Sequence, residues 1–390
     1  MISKTSTDLS VFKGYKVKIY PTDEQKLLIK ENIDLFRAVY NLSLELQLKA
    51  YREENRHIKY YEMTQILQDL RNNDPNYEWL NKLQIGTIRR AIFNLDTAFE
   101  KFFNKLTRFP KFKSRKKSKK CFHTRSERTN VYGNMIYIPG IGRVNAKSHG
   151  IPEGIRLHQT CVTFDGYDYW FSCTIPKDPI YIDDIPKSEP IGIDVGIKNM
   201  ITISTGEVYQ LPDTKNLERR LKRQQRRLTR DYNLYFDQSI HTRTKYEDIP
   251  KSKNHYKRLF KAHKTQSKIT NKRSTTIHTA TKRIVDKNPS AIVIETISVR
   301  DMVREKPNLK KNLPQMVFYT IHHQLQYKAM ERGIPVIKAD KYFPSTKKCS
   351  NCGHIQNVGL KRIYTCPICG LSIDRDLNAA YNLRNLAINF

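Results

Sequence analysis

The sequence predicts an α+β fold class divided among several domains, and three observations carry that prediction. Long stretches of helical periodicity alternate with short apolar or alternating runs that read as strands. Two CxxC pairs lie close together near the C-terminus. Acidic residues stand at three remote places, Asp194 within an apolar strand, Glu295 at the end of another and Asp376 at the opening of the last helix. At 390 residues and 38% hydrophobic content, the chain can form roughly two to four domains with cores of their own.

Lysine and arginine number 70 against 38 acidic residues, a formal net charge of +32 spread along the chain. Such an excess predicts a polyanionic partner. No segment approaches about 18 consecutive apolar residues and MISKTSTDLS has no signal-peptide core, so no membrane partner is expected. Seven cysteines, an odd total, argue against a disulfide framework and for a reducing, cytoplasmic setting. Cys121, Cys161 and Cys173 stand alone and read as small buried hydrophobes.

Residues 14 to 20 alternate apolar and polar up to Pro21 and predict a half-buried strand. A helix follows, opened by Thr22 and Gln25 at capping-box spacing and continued by Leu27, Leu28, Phe36, Val39 and Tyr40. Ile88, Ile92, Leu95, Phe99 and Phe102 mark a second apolar face, so residues 22 to about 107 predict a helical block. Between Lys111 and Lys120, seven of ten residues are basic, flanked by Phe109, Phe112 and Phe122. That run suits either a solvated segment or phosphate and stacking contacts to a single strand, through Lys111, Lys113, Arg115, Lys116 and Lys117. Short alternating runs from 131 to 180 predict an all-β region, barrel or sandwich, to which strand 14 to 20 can return. Ile191 to Val195, Met200 to Ser204 and Glu207 to Leu211 then predict a three-stranded meander. Next comes a helix in which 8 of the 16 residues from Lys215 to Arg230 are basic, over a thin seam of Leu217, Leu221 and Leu228. Its arginines Arg219, Arg220, Arg223, Arg226 and Arg227 are candidate phosphate contacts. Residues 231 to 255 read as a polar loop, 258 to 286 as a helix, 291 to 294 as a strand, 314 to 332 as a helix and 334 to 338 as a strand. A closing helix begins near Asp376.

A meander, then helix-separated strands, then a last helix is the element order of an RNase H-like fold. In that fold the first and fourth strands are parallel neighbours and the last helix packs beside them, so Asp194, Glu295 and Asp376 converge. An acid within an apolar strand is costly unless paired or bound to a cation. Three carboxylates suit in-line attack of water on a phosphodiester with two Mg2+ (or Mn2+) ions roughly 4 Å apart, Asp194 bridging them. Asp374 rivals Asp376, being two residues away. Cys349, Cys352, Cys366 and Cys369, each pair followed by a glycine, predict one closed tetrahedral zinc site, a zinc ribbon inserted before the last helix.

The segments YKVKIYPTDEQ, RFPKFKSRKKSKKCF, GIDVGIKN, VIETISVRDM, YFPSTKKCSNCG, YTCPICG and DRDLNAAYNL together resemble the transposon-encoded TnpB nucleases, relatives of type V CRISPR effectors. The resemblance runs from about residue 14 to the C-terminus. It implies an RNA-guided DNA endonuclease with a guide RNA from the transposon end, a short target-adjacent motif, target DNA and a single RuvC site. By the same resemblance, 1–21 with 113–185 form a wedge-type β-barrel and 22–112 an inserted helical recognition lobe. Residues 186–345 with 372–390 form the RuvC domain, and 346–371 the target-binding zinc ribbon. It implies Asp194, Glu295 and Asp376 as the catalytic, Mg2+-binding triad, since the family's last acid precedes x-Asn-Ala-Ala, here Leu377 to Ala380. The setting it implies is the prokaryotic cytoplasm, at the nucleoid. The rivals are a non-cleaving RNA-guided DNA-binding protein, expected to have lost one of the three acids, and a protein-only RuvC-type nuclease, which leaves the helical lobe, barrel and ribbon without a role.

Overall fold

The structure is a computed structural model that describes residues 11–115, 118–147, 150–177, 188–196, 199–242, 251–296, 315–340, 342–359 and 361–388. It divides into two compact units, Met1–Lys177 and Asp178–Phe390.

In the first unit, strand β1 (Val11–Tyr20) starts three residues earlier than its alternation predicts and runs through the middle of an antiparallel sheet. The other strands are β2 (Cys121–His123), β3 (Asn130–Tyr132), β4 (Met135–Ile138), β5 (Gly142–Ala146), β6 (His158–Phe164) and β7 (Tyr169–Lys177). Their order is β2-β6-β7-β1-β5-β4-β3, so the N-terminal strand does return to the later β region. Helix α1 (Asp23–Glu54) begins on the expected capping box: the Gln25 amide donates to Thr22 Oγ1 at 3.3 Å and the Thr22 amide to Gln25 Oε1 at 3.1 Å. Helix α2 (Tyr60–Asn73), a 3-10 segment (Pro75–Lys82) and α3 (Ile85–Phe103) complete the helical part. Ile88, Ile92, Leu95 and Phe99 are buried as their spacing predicts. Leu27 and Leu28 are not: they face outward on the first turns of α1, Leu27 being 68% exposed. Phe122 is core rather than a stacking surface.

The second unit is built on a five-stranded sheet of β8 (Ile191–Asp194), β9 (Ile201–Ile203), β10 (Val208–Tyr209), β11 (Ile292–Ile294) and β12 (Val336–Lys338), ordered β10-β9-β8-β11-β12. The meander is antiparallel, whereas β8, β11 and β12 run parallel. Strands covered on both faces read as continuous apolar runs, as IGI and IVI do here. Helices α4 (Lys215–Thr242), α5 (Lys253–Asp286), α6 (Gln315–Met330) and α7 (Arg375–Ile388) follow the chain order, with a hairpin of β13 (Ile363–Thr365) and β14 (Ser372–Asp374) before α7. The loop expected at 231 to 255 is corrected: 231–242 prolong α4, and α5 already begins at Lys253. The reason is tertiary. Asp231 accepts from Arg258 at 2.5 Å and pairs with the His255 ring at 3.3 Å, fastening the extra turns to α5. Residues 243–250, the remainder of that expected loop, lie outside the described residues.

The seat of α7 is set by Gly192. A side chain there would stand 2.0 Å from the Ala380 carbonyl oxygen and 2.4 Å from the Arg384 amide nitrogen. Ala379 and Ala380 are fully buried, so two small residues on the helix meet a residue without a side chain on β8.

Candidate active site

Each predicted acid sits where one element ends. Asp194 is the last residue of β8, Glu295 follows β11 directly, and Asp376 lies in the first turn of α7. Because β8 and β11 pair in parallel with Ile193 opposite Ile294, the two strand acids leave the sheet at the same edge. The approach of α7 at Gly192 brings Asp376 to them. Asp194 is 7% exposed, and burial, followed by the charges of Glu295 and Asp376, raises its carboxyl well above the ordinary value. Burial raises Glu295 too, against a 3.4 Å hydrogen bond from Ser345 Oγ. Asp376 accepts from Arg362 Nη1 at 3.1 Å, Asn199 Nδ2 at 3.3 Å and Arg375 Nη2 at 3.5 Å.

The two neighbouring aspartates have different work. Asp374 Oδ1 accepts from the amides of Asp376 (2.8 Å) and Leu377 (3.3 Å), which makes it the cap of α7. Asp376 is 6% exposed, and its charge acts on Asp194. Three carboxylates, those of Asp194 and Asp376 buried, form a set that hard divalent cations favour. They are gathered loosely, however. Among the described residues the four cysteines are the only group of three or more such ligands whose atoms all lie within 4.8 Å of one another.

In that group Cys349 Sγ lies 3.6 Å from Cys369 Sγ, and Cys352 Sγ 3.5 Å from Cys366 Sγ. Thiolates placed about 2.3 Å from a tetrahedral zinc stand about 3.8 Å apart, so the cage fits that ion closely. Gly353 and Gly370 take φ of +79° and +72°, and their amides close the two knuckles onto the Cys349 and Cys366 carbonyls at 3.0 and 3.1 Å. Asn378 and Asn382 of α7 hold the approach to the cage: their side-chain amides donate to the Lys348 carbonyl at 2.7 and 2.6 Å, and the Ser350 amide donates to Asn378 Oδ1 at 3.0 Å.

The basic candidates separate. Arg220, Arg223 and Arg227 of α4 face Lys257, Arg258 and Lys261 of α5 across a cleft of about 570 Å³. Arg219, Arg223 and Arg226 line a shallower groove with Lys222. Lys111 is exposed. Lys113 turns inward over the Tyr40 ring, 3.4 Å from its centre, and burial pulls its pKa down to about 8. Arg115 pairs with Asp34 at 2.9 Å, and Lys116 and Lys117 lie outside the described residues. Of the lone cysteines, Cys161 and Cys173 are buried as expected. Cys121 is only half-buried, and a hydrogen bond from Cys161, with Lys119 and Lys113 nearby, lowers its pKa to about 6.

Arg362, Asn199 and Ser345 were missed by sequence reasoning. Their contacts join Asp376 and Glu295 across large sequence separations, and only the GIDVGIKN segment, which ends on Asn199, offered a signal.

Residues 11–56, 181–306 and 318–383 match family models described as a helix-turn-helix domain, a probable transposase and a Cas12f1-like TNB domain. The first of these segments folds here as β1 and α1, one strand and one helix. Over 96% of its length the chain is 29% identical to a candidate RNA-guided DNA endonuclease of Streptomyces pristinaespiralis, spanning 89% of that protein. It is also 22% identical, over 99% of this chain and 75% of the relative, to a TnpB-like protein of Acanthamoeba polyphaga mimivirus. Along nearly its whole length the chain is thus similar to TnpB-like proteins and to relatives named as RNA-guided DNA endonucleases. A further match is a protein of Escherichia coli K12 named as the candidate RNA-guided DNA endonuclease InsQ, 24% identical over 95% of this chain and 91% of that one. Among solved structures, a chain of a Cas12f1-sgRNA-target DNA complex aligns with a TM-score of 0.48 and 14% identity, covering 96% of this chain and 99% of that one.

Proposed function

We propose that this chain is an RNA-guided DNA endonuclease: it holds a guide RNA, engages a short motif beside the target and hydrolyses phosphodiesters of the paired DNA. In this reading the sheet of the first unit, with residues 113–185, is a wedge-type barrel and 22–112 the recognition lobe. Residues 186–345 and 372–390 form the RuvC domain and 346–371 a zinc-holding ribbon. Asp194, Glu295 and Asp376 would hold Mg2+, which when bound supplies Lewis-acid activation of water and of the leaving oxygen. The observation that supports this most is the buried Asp194 carboxylate in the field of two other acids, whose repulsion and burial outweigh the one opposing charge, that of Arg375. Around it, the chain's own groups do three things. The parallel pair β8 and β11 keeps two acids at one sheet edge, α7 fixes the third, and the guanidinium of Arg362 stands beside Asp376, where an incoming phosphate would also be held. Among the described residues no helix is long and apolar enough to cross a membrane.

The test is reconstitution. The chain is purified, the RNA that accompanies it is sequenced, and a DNA duplex matching its guide portion is offered with Mg2+. Cleavage of matched but not mismatched DNA, lost in Asp194→Ala and Glu295→Ala while binding persists, is the expected result. Guide-independent cutting would refute the RNA-guided reading.

A further inference from the structure

The first unit contains a slot in whose lining Arg115 alone was a predicted site residue. It encloses about 410 Å³, within the range of roughly 300–1,000 Å³ of small-ligand sites. Its floor is apolar: Leu27 and Ile33 from α1, with Phe164 and Tyr169 from β6 and β7. Phe164 and Tyr169 are directly opposed across the hairpin, their rings stacked 4.6 Å apart at 26°. The hairpin tip is stiffened by Asp165, whose carboxylate accepts from the amides of Tyr167 and Asp168 and from Trp170 Nε1, all within 2.8 Å. An aromatic shelf on a stiff tip is prepared before any ligand arrives.

The rim is cationic. Asp34, an acid in the lining, is already paired with Arg115 and Arg37, and Lys26 is paired with Asp23. Lys30, Lys119 and Lys120 form no ion pair among the described residues, and Lys120 Nζ lies 5.6 Å from the centre of the Phe164 ring. A flat apolar floor beneath a ring of ammonium groups selects a ligand with a planar apolar body and anionic flanks. A lipid or an apolar peptide uses the floor alone, and a duplex keeps its bases stacked on one another and offers only phosphates.

We propose that this slot is a subsite for one unstacked nucleobase of a bound single-stranded RNA, its flanking phosphates held by Lys30, Lys119 and Lys120. The inference rests on the guide-RNA reading and deepens it. It also accounts for Leu27, an apolar side chain that the core leaves outside.

The test is binding of short single-stranded RNA carrying one 2-aminopurine, compared with the same strand made abasic at that position and with a duplex. The base-bearing strand should lose about tenfold in affinity with Phe164→Ala and with Leu27→Glu, and the abasic strand and duplex less than twofold. Leu27 is exposed, so its substitution keeps the fold if Phe164→Ala does not. Quenching of 2-aminopurine on binding should disappear in Phe164→Ala, while Lys30→Ala should lower the slope of log affinity against log salt by about 0.7. Equal losses for base-bearing and abasic strands, or none for either, would overturn the subsite. Equal quenching and affinity with a DNA strand would overturn its assignment to RNA. Failure of the unaltered chain to bind any RNA would overturn the proposed function itself, a result distinct from RNA binding that the variants leave intact.

Discussion

Two aspartates separated by one residue differ in environment more than their chemistry suggests. Asp374 caps α7 and Asp376 is buried, its charge acting on Asp194, so Asp376→Asn should reduce DNA cleavage far more than Asp374→Asn, which removes only part of a cap worth about 1 kcal/mol. Cleavage rates of the two variants decide it, and the reverse order would exchange their roles. The raised pKa of Asp194 gives a second expectation. An acid whose folded pKa lies above its unfolded value of about 3.9 binds protons more readily in the native state. Stability is therefore lost as pH climbs through about 3.9, until the folded value is passed. In chelator, Asp194→Asn should melt above the unaltered chain at neutral pH, with the gap closing toward pH of about 3. Mg2+ should raise the melting temperature of the unaltered chain only. Asp194 and Glu295 stand out in the sequence because a carboxylate at an apolar strand breaks a simple pattern, and Asp376 because it opens the last helix. Arg362 does not: in sequence it is one surface cation among 70, and only the return of β13 toward α7 makes it a partner of Asp376.

At the scale of elements, the segment DRDLNAAYN is four devices on one helix: a cap, a site acid, two asparagines that moor the cysteine cage, and two alanines that let the helix lie on β8. Gly192→Ala is expected to push α7 off its strand. The change should cost at least the roughly 1–3 kcal/mol of an overpacked core and lower cleavage with it, measured by denaturant unfolding and by rate. The cage should hold one zinc per chain. Cys349→Ser or chelation should increase amide exchange in 346–371 while most of the second unit keeps its protection, and a metal assay that finds no zinc would end the claim. Strand order and the parallel pairing were legible from the alternation of meander and helix. The end of α4 was not, because RDYNLYFDQ carries weak helical periodicity and is held in helix by Asp231 meeting α5, a contact that lies outside any local window.

Of the 70 basic residues behind the net charge of +32, some line a cleft between α4 and α5 and others the slot of the first unit. Replacing Arg219, Arg223 and Arg226 by alanine should weaken RNA binding uniformly across guide sequences and flatten its salt slope by about two units, at about 0.7 per single-strand contact. An unchanged slope would show that α4 faces water. The division between the two compact units falls at Asp178, eight residues before the start that the resemblance gives the RuvC domain.

The dependence of the site on α7 also has a bearing on synthesis. Asp194 and Glu295 leave the ribosome well before Asp376, and at roughly 5–20 residues per second the intervening 81 residues, from 295 to 376, take on the order of ten seconds. During that interval residues 1–177 are already made, while the second unit still lacks Asp376 and the helix that carries it. On the proposed reading, in which the first unit holds RNA and the three acids cut, the order of translation puts RNA capture ahead of nuclease competence.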